Sequence, residues 1–174
     1  MRKDAPGFTL VELLIALAVL ALLLGLALPG FRDVIERQRT ATALHLVSAQ
    51  FAQARNTAIM RRTPVTVCPS RGDGRCRTDA DWSQGWLMYR DPTGGSQPRT
   101  PGDVLAEQHR PTHASVRIQS SAGRPRIRFQ PDGRSGGTNL TVRICIAGSV
   151  RGEVVVNNVG RVRSARPRTP TPCA

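Results

Sequence analysis

Sixteen consecutive positions, Leu13 to Leu28 (LLIALAVLALLLGLAL), carry no polar side chain. Extended from Phe8 to Phe31, the stretch covers 24 positions and is interrupted only by Thr9 and Glu12. As a helix rising about 1.5 Å per residue it would span roughly 36 Å, enough to cross a bilayer core. Arg2 and Lys3 precede it, which sets the amino end in the cytoplasm by the positive-inside rule. A basic start and an apolar run are also the marks of a secretory signal peptide. The run is long for that, and no small-x-small cleavage site follows, because LPGFRDVIERQR continues directly into helical sequence. A carboxylate at the mouth of such a run costs a few kcal/mol on insertion scales, so Glu12 should have a partner.

The stretch Gly7-Phe8-Thr9-Leu10-Val11-Glu12 resembles the processing site of type IV pilins and pseudopilins. The resemblance implies a prepilin leader at 1–7, cleavage by prepilin peptidase after Gly7, and methylation of the new amino terminus at Phe8. Glu12 would be the fifth residue of the mature chain and would pair with the terminal amine of a neighbouring subunit. That would give a buried charge a purpose, axial register in a filament. Residues 8–31 would be a transmembrane and filament-core helix. Pro29, which lacks an N–H and clashes with the preceding turn, would kink or locally melt it.

Residues 32–174 read as one globular head. From Arg32 to about Arg62 the pattern is helical: Leu44, Val47, Phe51, Ala54 and Ala58 step by 3, 4, 3 and 4. Val34, Ile35 and Ala41 extend the stripe upstream, while Arg37, Gln38, Arg39, Gln50, Gln53 and Asn56 fall on other faces. Thr63-Pro64 stops the helix. Short strands and turns follow, at 65–68, 85–90, 104–107, 115–119, 126–130, 140–146, 153–157 and 161–163. A helix followed by antiparallel strands is an α+β arrangement. Val-Thr-Val-Cys-Pro69, Gly85-Trp86, Ile-Arg-Phe129, Asp132-Gly133 and Gly160-Arg-Val-Arg163 are similar to the GspH/FimT group of minor pilins and pseudopilins. The fold expected is therefore pilin-like: a long amino-terminal helix whose amphipathic half packs on a β-rich head.

Lys plus Arg is 25 against 12 acids, a formal charge of +13, and Lys3 is the only lysine. Codon bias accounts for part of the arginine preference but not for the scarcity of acids. An excess of this size points to an anionic partner, nucleic acid or a membrane face. After Val150, Arg151, Arg161, Arg163, Arg166 and Arg168 oppose only Glu153, and the Pro-rich run 166–172 is expected to stay extended. Arg124, Arg126 and Arg128 would share one face of a strand. The guanidinium fork suits phosphate, and nothing resembles a base-reading helix, so binding to double-stranded DNA should be sequence-tolerant. In the FimT branch a Gly-Arg-x-Arg motif serves DNA receptors of natural transformation, and Gly160, Arg161 and Arg163 match it. A bland reading competes, in which Gly160 turns the chain and the arginines solvate an edge strand.

The cysteines are Cys68, Cys76, Cys145 and Cys173. A head outside the cytoplasmic membrane lies in an oxidising space that favours disulfides, and four cysteines allow three connectivities. Cys68–Cys76 and Cys145–Cys173 are expected, since both join neighbours along the chain. There is no C-x-x-C, and His45, His109 and His113 lack ligand spacing with the cysteines, so no metal or other cofactor is expected. Gly72-Asp-Gly74 lies among arginines, a poor cation site. No Walker loop, G-x-S-x-G or H-E-x-x-H is present, so an enzyme is not expected. The partners expected are prepilin peptidase, other pilins in a filament, DNA, and inner-membrane lipid before assembly, with the head periplasmic. Two roles follow: a minor pilin that binds DNA for transformation, or a structural pseudopilin of a type II secretion system.

Overall fold

A computed structural model describes residues 7, 9–121, 123–169 and 171–173, without the side chains of 26–29. Phe8 and the leader residues 1–6 lie outside the described residues, as does the side chain of Pro29. The chain forms two compact units, Met1–Gln38 and Arg39–Ala174, which are treated separately. Helix α1 (Leu10–Arg61) contributes to both.

In the first unit the apolar side chains from Leu10 to Leu24 are exposed, Leu22 by 70%. Among the described residues no single helix is long and apolar enough to cross a membrane. The stretches Leu10–Gly25 and Gly30–Arg61, on either side of a bend, meet that requirement only together. Val34 and Ile35, expected to continue the buried stripe, are exposed as well.

In the second unit the 3-4 stripe behaves as its spacing requires. Leu44, Val47, Phe51, Ala54 and Ala58 are all buried. The helix ends at Arg61, where Arg62 turns to φ 49°, and Thr63 is disfavoured from helix by the bulk of Pro64 after it. Two antiparallel sheets complete the core. One has the order β3-β2-β1-β5, from β1 (Val65–Pro69), β2 (Gly85–Arg90), β3 (Val104–His109) and β5 (Ile127–Phe129). The other has the order β4-β6-β7-β8, from β4 (Val116–Ser120), β6 (Leu140–Ile146), β7 (Ser149–Val156) and β8 (Val162–Ala165). A two-residue strand β9 (Thr171–Pro172) also pairs with β7.

The helix stripe and the inner residues of both sheets form one cluster, including Val67, Trp86, Phe129, Ile118, Val142 and Val154. The first sheet is covered on its other face too. There Cys68, Cys76, Leu87 and Tyr89 make a second small core under the loops, which is why β1 is buried at every position. Gln50 corrects the sequence expectation. It is buried rather than on a polar face, accepts from Trp86 Nε1 at 3.1 Å and lies 3.6 Å from Met88 Sδ. A buried indole N–H needs an acceptor, and a glutamine on the helix supplies it. β7 begins at Ser149, four residues before the expected Glu153, because Ala147-Gly148 forms a tight turn with both φ values positive.

Candidate nucleic-acid interface

The second sheet alternates cleanly. In β7 the even residues Val150, Gly152, Val154 and Val156 are buried, which turns Arg151, Glu153 and Val155 outward. Cross-strand partners share a face. Glu153 pairs with Arg143 in β6 and Ala165 in β8, Val155 pairs with Thr141 and Arg163, and Gln119 pairs with Arg143. Arg117 and Arg143 are exposed on this same face. The outward surface therefore gathers Arg117, Arg143, Arg151 and Arg163 around Glu153, which accepts from Arg143 Nε at 3.3 Å, with Asp81 bridged to Gln119 at the β4 edge. Arg117 and Arg143 were missed in the sequence, although alternation in Val-Arg-Ile-Gln and Leu-Thr-Val-Arg-Ile marks both as outward.

Gly160 and Arg161 sit in the hairpin loop between β7 and β8, between the closing paired residues Val156 and Val162. The loop is braced from within: Asn157 Oδ1 accepts from the Arg161 N–H at 2.8 Å, and the Gly160 N–H donates to the Asn157 carbonyl at 2.9 Å. It is also docked. The Ser135 N–H donates to Asn158 O at 3.0 Å and Ser135 Oγ to Asn157 O at 2.7 Å. Gly160 has φ +79°, and a Cβ there would stand 1.9 Å from the Gly133 carbonyl oxygen. That carbonyl also accepts from Arg55 Nε of the helix at 3.0 Å. Glycine at 160 is thus required both by conformation and by close approach. It holds Arg161 at a defined place, with Arg161 and Arg163 both exposed.

Arg166 and Arg168 are exposed on a segment that leaves the sheet and returns. Ala165 pairs with Glu153 and Thr171 with Val150, so five tail residues (166–170) face only two of β7 (151 and 152). The return is fixed by β9, by the Cys173 N–H donating to Gly148 O at 3.0 Å, and by the Cys145–Cys173 disulfide. The other bridge, Cys68–Cys76, closes the loop over the first sheet with its Cα atoms 5.5 Å apart. Both pairings are those expected.

Ile127 and Phe129 point inward as expected, but the arginines beside them do different things. Arg128 points to the buried carboxylate of Asp91 (Nε to Oδ2, 3.0 Å) and also donates to the Asp91 carbonyl. Thr66 Oγ1 and the Gly95 N–H complete that carboxylate's partners, each at 2.7 Å. Arg124 Nη2 donates to the carbonyls of Ser135 and Gly136, both at 2.6 Å, and burial lowers its pKa. Two of these three arginines hold loops, and Arg126 is left exposed.

At the amino end Gly7 is exposed. Glu12 makes a capping box with Thr9: the Glu12 N–H donates to Thr9 Oγ1 at 3.3 Å, and Glu12 Oε2 accepts from the Thr9 N–H at 3.5 Å. The pattern Thr-x-x-Glu announces this in the sequence. Among the described residues no group of three or more His, Cys, Asp or Glu could hold a metal ion.

The sequence profile described as "Type II transport protein GspH" matches residues 43–160, and the "Prokaryotic N-terminal methylation motif" matches residues 2–28. The chain belongs to the GspH family. It carries the methylation motif ahead of the GspH region. It is similar to a pilin-like protein of Thermus thermophilus, 27% identical over 90% of this chain and 96% of that protein. Fimbrial protein EcpC of Eikenella corrodens is 39% identical, over 29% of this chain. The chain spans only a third of that protein, and about half of the Dichelobacter nodosus fimbrial proteins it also matches. In fold it is similar to the type IV minor pilin FimU of Pseudomonas aeruginosa, with a TM-score of 0.61 at 16% identity, covering 78% of this chain and 95% of that one.

Proposed function

We propose that the chain is a minor pilin of a type IV pilus, cut by prepilin peptidase between Gly7 and Phe8, that binds double-stranded DNA for natural transformation. The observation that carries the DNA reading is the outward face of the second sheet and its hairpin. Arg117, Arg143, Arg151, Arg161 and Arg163 outnumber the acids of that region, Glu153 and the edge residue Asp81, and Arg166 and Arg168 follow on the stapled tail. Contacts of this kind neutralise backbone phosphates and carry little sequence information. Arg161→Gln with Arg163→Gln should weaken duplex binding equally across unrelated sequences. It should also lower the slope of log affinity against log salt by roughly 2, at about 0.9 per lost phosphate contact. Unchanged binding in a mobility-shift titration would remove the receptor role.

The anchor reading rests on the exposed apolar side chains of Leu10–Leu24, which suit lipid before assembly and neighbouring helices after it. On this reading residues 8–31 cross the inner membrane once, with the amino end cytoplasmic and the head periplasmic. Glu12 then exchanges its weak local cap for the terminal amine of the next subunit. Glu12→Ala should still insert in the membrane but fail to enter the filament. A mutant recovered in sheared pili at the wild-type level would defeat that role. The match to the type II transport profile favours a second reading, a structural pseudopilin of a secretion system. A deletion strain separates them: loss of DNA uptake with normal protein export supports the first, and the reverse supports the second.

A further inference from the structure

A cavity of about 350 Å³ opens between α1 and β8, with His45, Ser48, Ser164 and Arg166 as its polar lining and Leu44 and Ala165 as apolar wall. Its origin is legible in the packing. Gly152 has no side chain, and Leu44 fills the space, with Cδ1 2.9 Å from where a Cβ would stand. The helix therefore seats on β7. The edge strand β8 is short: its inward residue Val162 is half-buried, while the next, Ser164, is exposed at the cavity.

Every polar group of the lining can donate a hydrogen bond, and no carboxylate is among them. Ser48 Oγ is buried without a hydrogen-bond partner among the described residues. A buried hydroxyl in that state costs about 1–3 kcal/mol, which a ligand oxygen would relieve. Hydroxyls, an imidazole and a guanidinium around one opening suit an oxyanion. A volume in the lower part of the small-ligand range of about 300–1,000 Å³ exceeds what a lone phosphate needs, and it leaves room for an attached sugar against Leu44 and Ala165.

We propose that this groove is a phosphodiester subsite, in which Arg166, Ser48, Ser164 and His45 hold one backbone phosphate of bound DNA. The proposal rests on the DNA reading above and extends it from the outer sheet face around the β8 edge to the helix. From Arg161 to Arg166 the chain covers about 16 Å at some 3.3 Å per residue. That length is enough for a short run of consecutive backbone phosphates of one strand that ends in the groove.

The test uses the mature full-length chain in detergent micelles, with ring-labelled histidines, titrated with a short random-sequence duplex and separately with nanodiscs of anionic phospholipid. The expected result is a shift of the His45 ring signal with duplex while those of His109 and His113 stay in place. Ser48→Asp should lower duplex affinity about tenfold and the salt slope by about 1. Ser48→Ala, which is free of folding risk from a new charge, should lower affinity about threefold. If His45 is silent and both variants bind like wild type while Arg161→Gln/Arg163→Gln still weakens binding, the groove is overturned and the DNA reading stands. A wild-type chain that binds no duplex overturns both. A His45 shift with nanodiscs but not with duplex assigns the groove to lipid headgroups and overturns the proposal.

Discussion

Gly160→Ala is the sharpest perturbation of the hairpin that presents Arg161. The new methyl would stand 1.9 Å from the Gly133 carbonyl oxygen, which is backbone and therefore stiff. Real contacts do not fall under 3.0 Å, so about 1 Å of separation must be found by lifting the loop from the Asp132-Gly133 turn. The φ of +79° adds left-handed strain of about 1–2 kcal/mol for an alanine. Overpacking adds about 1–3 kcal/mol. Lifting the loop also stretches the two Ser135 bonds to Asn157 and Asn158, each a contribution of about 1 kcal/mol. A total of about 4–7 kcal/mol corresponds to a fall in Tm of roughly 15–30 °C at about 4 °C per kcal/mol. Gly148→Ala is the control, because Gly148 has φ +75° but nothing within 4 Å of its virtual Cβ. It should lose only the left-handed term, about 1–2 kcal/mol. Thermal unfolding by near-ultraviolet circular dichroism compares the two. Should Gly160→Ala melt within 2 °C of Gly148→Ala, about half a kcal/mol, the close approach to Gly133 would not be what demands glycine.

Gln50→Leu leaves the Trp86 indole N–H without its acceptor in the core and should cost about 1–3 kcal/mol in urea unfolding; wild-type stability would mean that the bond at 3.1 Å is dispensable. Cys145→Ala with Cys173→Ala frees a 28-residue closure, which on the chain-entropy account removes about 3–4 kcal/mol, and it should expose the tail at Arg168 to trypsin while leaving the strands protected. An uncut tail would show that β9 holds it without the bridge. Tyr89 is buried, and that burial, with Asp91 adding to it, pushes its phenol up to about 12. The folded state then keeps its proton where the unfolded state, with a pKa near 10, has lost it. The contribution is intact below pH 10 and is lost between about pH 10 and 12, up to about 2–3 kcal/mol. Tyr89→Phe should flatten that alkaline decline, and an unchanged decline would assign it to other groups.

The helix and the strands were legible because burial imposes period: 3-4 spacing over Leu44 to Ala58, and alternation in β4, β6 and β7. Gln50 was not, because its polarity places it outside by any pattern rule, and only the position of Trp86 across the core reveals what it satisfies. β9 was equally opaque. Two residues ending in proline carry no strand signal of their own, and pairing with Ser149 and Val150 depends on the disulfide bringing the tail back.

Charge is where sequence and fold part most. Counting gives +13 but assigns no arginine a task. Arg124 and Arg128 each stand two residues from Arg126 in a run that looks uniform, yet two of the three fasten loops to backbone carbonyls and to Asp91. What separates them is a partner distant in sequence: Asp91 lies 37 residues from Arg128. Arg161 and Arg163 differ in kind, since the hairpin that carries them satisfies its own backbone through Asn157 and Ser135 and does not draw on their side chains. A surface built for phosphate needs cations that the fold does not consume. Glycine at 160 serves the same end, because it lets the loop dock closely on Gly133 without drawing on Arg161 or Arg163 and leaves their guanidinium groups facing solvent.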